Sequence, residues 1–195
     1  NYKRILFNIR EAEEKYRKSG GVSLIAVTKT VDPAAVNHAV SLGIRLLGEN
    51  RVQEYISKKD FYDKNAEVHF IGHLQTNKVK YIIDSVSMIQ SVDSIKLAEE
   101  IDRHAGRIGR CQDILIEVNI GGEKSRGLMA IPPAGSSERF LFDMQKLYID
   151  ISQKKIHNIS MDYLSMGMSG DYEAAIKYGA NMVRIGRGLF GPRNY

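Results

Sequence analysis

The stretch SLIAVTKTVDP, residues 23–33, climbs through an apolar run and stops on a lysine. SLIAV is short, apolar and bounded by polar residues, so it reads as a buried strand. Asp32 then stands where a helix N-cap is wanted and Pro33 at the first helical position. They open PAAVNHAVSLG, which Gly43 closes with a residue suited to the left-handed region. A strand feeding directly into a helix is the building unit of a parallel sheet. Two questions follow: whether the unit repeats, and why its strand ends in an ammonium group.

The unit repeats. Short apolar stretches recur at IRLLGE (44–49), EVHFIG (67–72), SMIQSV (87–92) and DILIEV (113–118), then at RGLMAI (126–131), DYLSMG (162–167) and NMVRIG (181–186). Most are separated by segments with apolar residues three and four apart: RVQEYISKK, NKVKYIID, SIKLAEEIDRHAG, SERFLFDMQKLYIDISQKK and DYEAAIKYG. Eight strands alternating with helices predict an α/β fold, a (β/α)8 TIM barrel forming a single domain over residues 1–195. An open doubly wound sheet is the alternative. One connection breaks the rhythm. Only NIGGEKS (119–125) stands between the fifth and sixth strands, whereas a parallel crossover needs about a dozen residues or more. The expectation is a segment missing between Ser125 and Arg126.

Composition narrows the function classes. Hydrophobic residues make up 43% and charged residues 26% of the 195, as in ordinary soluble proteins. No apolar run approaches the ~18 residues of a membrane span. The opening NYKRILFNIREAEEKYRK reads as an amphipathic helix carrying acids throughout, unlike a signal or transit peptide. The single cysteine, Cys111, excludes an internal disulfide, and the cytoplasm is the expected setting. Net charge is +5 and the pI about 9.2. The basic residues are mixed with acids, without a dense tract or aromatic interleaving, so nucleic-acid binding is not expected; a phosphorylated small ligand would suit the positive balance equally well. His38, His69, His73, His104 and His157 show no metal-ligand spacing with carboxylates or with Cys111, so no metal is expected. Neither a nucleophile elbow nor a Walker loop is present.

In barrels of this kind function sits where the strands end. The first ends on Thr28, Lys29 and Thr30, the second on Glu49 and Asn50, and the third runs on through His73. The seventh ends in SMGMSGD (165–171) and the eighth in RIGRGLFG (184–191). Taken alone, Lys29 reads as a rim lysine with a packed stem and a wet ammonium group. A desolvated lysine with a lowered pKa would instead condense with a carbonyl. The two glycine-rich turns occupy the places where such barrels bind phosphate, and Ser169 or Asp171 can cap the helix there. Arg184 shares a strand face with Met182 and Gly186. An ion pair with Glu49 and a ligand contact explain it equally well. His73 is either a core histidine or a pocket wall. The set amounts to a phosphate clamp facing an aldehyde-reactive amine.

Taken in order, LIAVTKT, LLGENRVQE, HFIGHLQTNKVK, VNIGGEKS, RGLMAI, LSMGMSGDYEAAI and MVRIGRGLFG resemble the YggS/PROSC family of pyridoxal phosphate homeostasis proteins. The resemblance covers nearly the whole chain. It implies the barrel of alanine racemase (fold type III), with pyridoxal 5'-phosphate (PLP) held on Lys29 as an internal aldimine. Ser165, Ser169 and the backbone around Gly186 and Arg187 would hold the phosphate. Arg184 would face the pyridine nitrogen, and Asn50 and His73 would line the ring. An arginine there keeps that nitrogen unprotonated and weakens PLP as an electron sink. The implied function is PLP homeostasis, in which the cofactor is held or supplied without catalysis. PLP-dependent apoenzymes are the implied partners, and the protein is a monomer or weak homodimer. The alternative is an enzyme: a racemase or decarboxylase of the same barrel, or a Schiff-base aldolase. The chain stops soon after its eighth strand, without the second domain that carries a racemase's other base, which favours the first reading. Two departures stand out. Arg187 replaces a small hydroxyl residue of the family pattern. That pattern also continues from VNIGGEKS through a lysine–glycine stretch and a helix before RGLMAI, the same junction at which the crossover is too short.

Overall fold

The computed structural model describes residues 1–118, 129–131, 137–154 and 160–192. These residues form eight strands: β1 (Ser23–Val27), β2 (Leu46–Glu49), β3 (Glu67–Phe70), β4 (Met88–Val92), β5 (Asp113–Ile116), β6 (Met129–Ala130), β7 (Ser165–Met166) and β8 (Met182–Ile185). All pair in parallel in the order β5-β4-β3-β2-β1-β8-β7-β6. Chain order is thus kept around a circle, with the last strand beside the first. A doubly wound sheet would reverse its order at a switch point instead. An isolated parallel bridge between Glu117 and Met129 is the link from β5 to β6 among the described residues, so the barrel is nearly closed.

Seven α-helices accompany the strands: α1 (Tyr2–Tyr16), α2 (Pro33–Ser41), α3 (Val52–Lys58), α4 (Ile95–Arg107), α5 (Ser137–Gln153), α6 (Tyr172–Lys177) and α7 (Arg187–Phe190). Asp32 caps α2 as its position requires, accepting from Ala34 N at 2.8 Å, with Pro33 in the first turn. Ser94 does the same for α4 through Leu97 N at 3.3 Å; such a cap is worth about 1 kcal/mol. Leu97, Ile101 and Ala105 recur every four residues on α4 and are its buried face. Each large apolar side chain buried this way stabilises by about 1.5–3 kcal/mol.

Two stretches differ from expectation. NKVKYIID is not an α-helix. Thr76–Tyr81 is a 3-10 helix, with Lys78 N bonded to Gln75 O (2.9 Å) and Ile82 N to Val79 O (3.1 Å), a tight form that suits the short run from β3 to β4. The turn after β8 contains a helical turn, because Leu189 N and Phe190 N both donate to Gly186 O at 3.0 Å. The junction of Ser125 with Arg126, and His157, lie outside the described residues.

Alternation along each strand separates two environments. Ala26, Leu47, Val68 and Phe70 face outward and pack under the helices on one side. Val183 and Ile185 do so on the other side, against Ile5 and Ile9 of α1 and Ala175 and Ile176 of α6. The intervening residues Ile25, Gly48, Ile71, Met88, Gln90, Met182 and Arg184 belong to the interior. Gly48 is tight there: a Cβ would stand 2.8 Å from both Ile25 Cγ2 and Ile71 Cδ1. Tighter still is Gly72, where a Cβ would meet the Asn50 carbonyl oxygen at 2.1 Å. Gly72→Ala must therefore push apart the loops after β2 and β3. It is expected to cost about 2–4 kcal/mol in urea unfolding; a cost below about 1 kcal/mol would show that the two loops are not rigidly apposed.

Candidate functional site

Lys29 lies two residues beyond β1, half-buried, and its neighbours in the chain are anchored on both sides. Thr28 N donates to Gly48 O (3.0 Å), and Thr28 Oγ1 to Glu49 Oε1 (2.7 Å). The Thr28 carbonyl accepts from Lys58 Nζ at 3.2 Å. Thr30 N donates to the Glu54 carboxylate, which also pairs with Lys58 one helical turn along α3. Thr30 has φ 63, the left-handed region that a β-branched residue seldom occupies. Strand β2 and helix α3 thus hold the backbone flanking the lysine. The β1–β8 register, Ile25 opposite Arg184 and Ala26 opposite Ile185, carries that loop to the turn after β8. There Lys29, Gly186, Arg187 and Phe190 line a cavity of about 230 Å³.

Glu49 is fully buried, but on the outer side of the barrel wall. It accepts from Tyr62 OH and Thr28 Oγ1, and burial raises its pKa. The ion pair with Arg184 weighed from sequence is therefore not made: the two side chains lie on opposite sides of the wall. Arg184 is 4% exposed and bonds to neutral acceptors: Nη1 to Ser165 O (2.9 Å) and Oγ (2.6 Å), Nη2 to Ala130 O (2.9 Å). Burial lowers its pKa to about 10, with Asp171 and Glu117 opposing the shift, so the guanidinium stays charged at neutral pH.

Ser169 and Asp171 divide their work differently from a simple cap. Ser169 is exposed and its Oγ accepts from Gly188 N at 3.1 Å, tying the loop after β7 to the turn after β8. Asp171 stands at the N-cap of α6, but its Oδ1 accepts from Met168 N (2.6 Å), outside the helix. Gly186 is in close quarters, since a Cβ would stand 3.2 Å from Val27 Cβ. Arg187 is exposed. Ser165 is fully buried in the interior, its hydroxyl engaged by Arg184 and Gln90. Asn50 is half-buried and its Oδ1, out of contact with solvent, has no hydrogen-bond partner among the described residues. His73 is neither core nor enclosed: its side chain is 73% exposed, with Nδ1 3.3 Å from Asp93 Oδ2. Glu117, half-buried at the end of β5, has its pKa raised by burial and then by Asp93.

Two interior residues were missed. Gln90 and His69 are buried and bonded to each other, Nε2 to Nδ1 at 2.8 Å. The available signal was an amide in the middle of the apolar run SMIQSV, which cannot be buried without partners. A larger cleft of about 380 Å³, lined by Tyr55, Lys59, Glu67 and Arg110 among others, lies by the N-terminal ends of β3 and β4 and contains none of these residues.

The chain is similar to known proteins over most of its length. Residues 1–127 match the family model described as "Alanine racemase, N-terminal domain". The pyridoxal phosphate homeostasis protein of Aquifex aeolicus is 37% identical, the alignment covering 98% of this chain and 96% of that protein. That of Haemophilus influenzae is 33% identical, covering 94% and 90%. Among solved structures, PipY of Synechococcus elongatus with PLP bound is 32% identical with a TM-score of 0.78, covering 94% of this chain and 99% of that one. Alanine racemase of Clostridium difficile, 15% identical with a TM-score of 0.62, covers 97% and 56% and shares the fold.

Burial lowers the pKa of His69 to about 4 from the ordinary 6.5. Below pH 6.5 the unfolded chain takes up a proton that the folded one refuses. This contribution to stability is complete above about pH 6.5 and is lost as pH falls toward 4, on the order of 3 kcal/mol in all. Urea unfolding at pH 7 and pH 4.5 should show a smaller acid loss for His69→Asn than for the wild type; equal losses would mean that His69 takes its proton freely in the fold.

Proposed function

The chain belongs to the family of pyridoxal phosphate homeostasis proteins, built on the alanine racemase N-terminal domain, and on that premise we propose that it binds PLP on Lys29 and holds or supplies it without a reaction of its own. The observation that carries the proposal is the cavity in which a strand-end lysine meets the glycine turn after β8. A relative of this fold at 32% identity has been solved with PLP bound, which supports the same reading here.

The residues present fit such a group. PLP, when bound, supplies an aldehyde that condenses with a primary amine and a ring that can delocalise negative charge. Lys29 offers the amine, on a backbone clamped at Thr28 and Thr30. Ser169 Oγ and the backbone N–H groups of the turn from Gly186 to Gly188 would hold the phosphate, and the exposed side chain of Arg187 adds positive charge. Asn50 brings an acceptor that lacks a partner among the described residues. Arg184 would face the ring nitrogen. A guanidinium has no lone pair to offer and repels a pyridinium, so it keeps that nitrogen unprotonated. We assign Ser165 to seating Arg184 rather than to the phosphate, since its hydroxyl is already engaged inside the barrel. His73 would form the outer wall. Recipients are proposed to be PLP-dependent apoenzymes in the cytoplasm, served by a monomer or weak homodimer.

The missing segment remains a proposal. The alignment with the Aquifex relative runs over 222 positions against 195 residues here, so gaps fall on this chain's side. The parallel bridge from Glu117 to Met129 leaves eleven residues for its crossover, short of the dozen or more that such a connection needs. An intact mass above 22.0 kDa supports the lost segment between Ser125 and Arg126; agreement with it ends the idea.

The binding reading is tested by adding PLP, reducing with borohydride and mapping the labelled peptide. The label is expected on Lys29, and Lys29→Ala is expected to lose covalent loading while keeping its melting temperature. A label elsewhere, or full loading of the variant, overturns the assignment. Turnover of an amino acid above the rate with free PLP would replace it by the enzyme reading.

A further inference from the structure

The barrel interior holds a row of hydrogen bonds that phosphate and amine chemistry do not require. It begins at β8, where Arg184 Nη1 donates to Ser165 Oγ at 2.6 Å. Ser165 Oγ donates to Gln90 Oε1 at 2.8 Å. At the other end of that amide, Gln90 Nε2 lies 2.8 Å from His69 Nδ1 and 3.0 Å from Met182 Sδ. Ser165 and Gln90 are fully buried, and His69 and Arg184 are 4% exposed. The row crosses the barrel from β8 through β7 and β4 to β3.

Chemistry fixes its direction. A guanidinium only donates, so Ser165 must accept from Arg184. The serine has one proton, which goes to Gln90 Oε1. The amide nitrogen then faces His69, whose Nδ1 must accept, placing the imidazole proton on Nε2. Reversing the amide would turn donors against Ser165 and leave the serine proton without an acceptor, which a buried group does not tolerate cheaply. Burial keeps His69 neutral in the physiological range, which preserves the acceptor. The position of Gln90 comes from a bulge. Ile89 pairs with Ile114 and Val92 with Ile116, so Gln90 and Ser91 together oppose Leu115. A bulge re-aims side chains in this way.

We propose that Gln90 is a positioning residue for the PLP site: by fixing the Ser165 hydroxyl as an acceptor, it sets the plane in which Arg184 is offered to the ring nitrogen of the ligand. This rests on the PLP reading above. The Gln90 amide bonds to Ser165, His69 and Met182, so its influence is directed to the ring end. Substituting it should alter how the ring is held while leaving capture by the lysine intact.

The test compares wild type, Gln90→Leu and Ser165→Ala, each loaded with PLP. Three quantities are measured: the absorption band of the bound cofactor, its release rate on dilution, and borohydride labelling of Lys29. Both variants are expected to shift the band and to release PLP about tenfold faster, the loss of roughly one buried hydrogen bond, with Lys29 still labelled. Apo melting curves report whether each variant folds. Ser165→Ala, which removes only an oxygen, decides the matter if Gln90→Leu does not fold. An unchanged band and release rate in Ser165→Ala overturns the proposal, because any effect of Gln90→Leu would then be packing. Failure of the wild type to load PLP is a separate result: it removes the PLP reading and this inference with it.

Discussion

A cation buried inside the barrel, without a carboxylate at ion-pair distance among the described residues, is the constraint from which the rest of the site follows. An isolated charge in such surroundings costs several kcal/mol unless acceptors surround it. The carbonyls of Ser165 and Ala130 and the hydroxyl of Ser165 are those acceptors. Strand alternation keeps Glu49, the other buried charge-bearing group, on the far side of the wall with Tyr62 and Thr28. Two groups that would have neutralised each other are thereby kept for different tasks. Arg184 presents a donor toward the interior, and Glu49 braces the loop that carries Lys29.

The two ends of the site are supported in contrasting ways. The lysine end is held through backbone atoms, with Thr28 and Thr30 anchored from β2 and α3 and Thr30 accepting an uncommon conformation. The arginine end is held through side chains, in a row whose polarity admits one arrangement of protons. At neutral pH the members of that row keep fixed states, with Arg184 charged and His69 neutral. A row with fixed proton states can orient a ligand without itself exchanging protons, in accord with the proposed role of holding a cofactor.

Sequence carried the architecture well where local signals were strong. SLIAV matched β1 residue for residue, Asp32 and Pro33 opened α2, and eight apolar stretches yielded eight strands whose cyclic order distinguishes a barrel from an open sheet. Strand ends were legible less well: DYLSMG reduces to two residues in β7, because apolar character continues past the ladder into packing. The site divided along the same line. Lys29, Gly186 and Arg187, which line one cavity, could be picked out because strand ends and glycine turns are local features. Gln90 and His69 were not, because their meaning depends on a bulge and on partners distant in the chain, such as Met182 on β8, 92 residues beyond Gln90. The proposed Arg184–Glu49 pair failed since neither residue type reveals which side of a strand it faces until register is known.

The ladder between β1 and β8 has a further consequence, in time rather than space. Lys29 leaves the ribosome early, and Gly186 is among the last parts of the barrel to be made. At ~5–20 residues per second, roughly ten to thirty seconds of synthesis separate them. Throughout that interval the amine is present without the turn that completes its cavity. A chain broken off before residue 186 would carry the reactive residue but not the pocket. The cavity beside Lys29 is therefore a property of the finished barrel, acquired only when its last strand closes against its first.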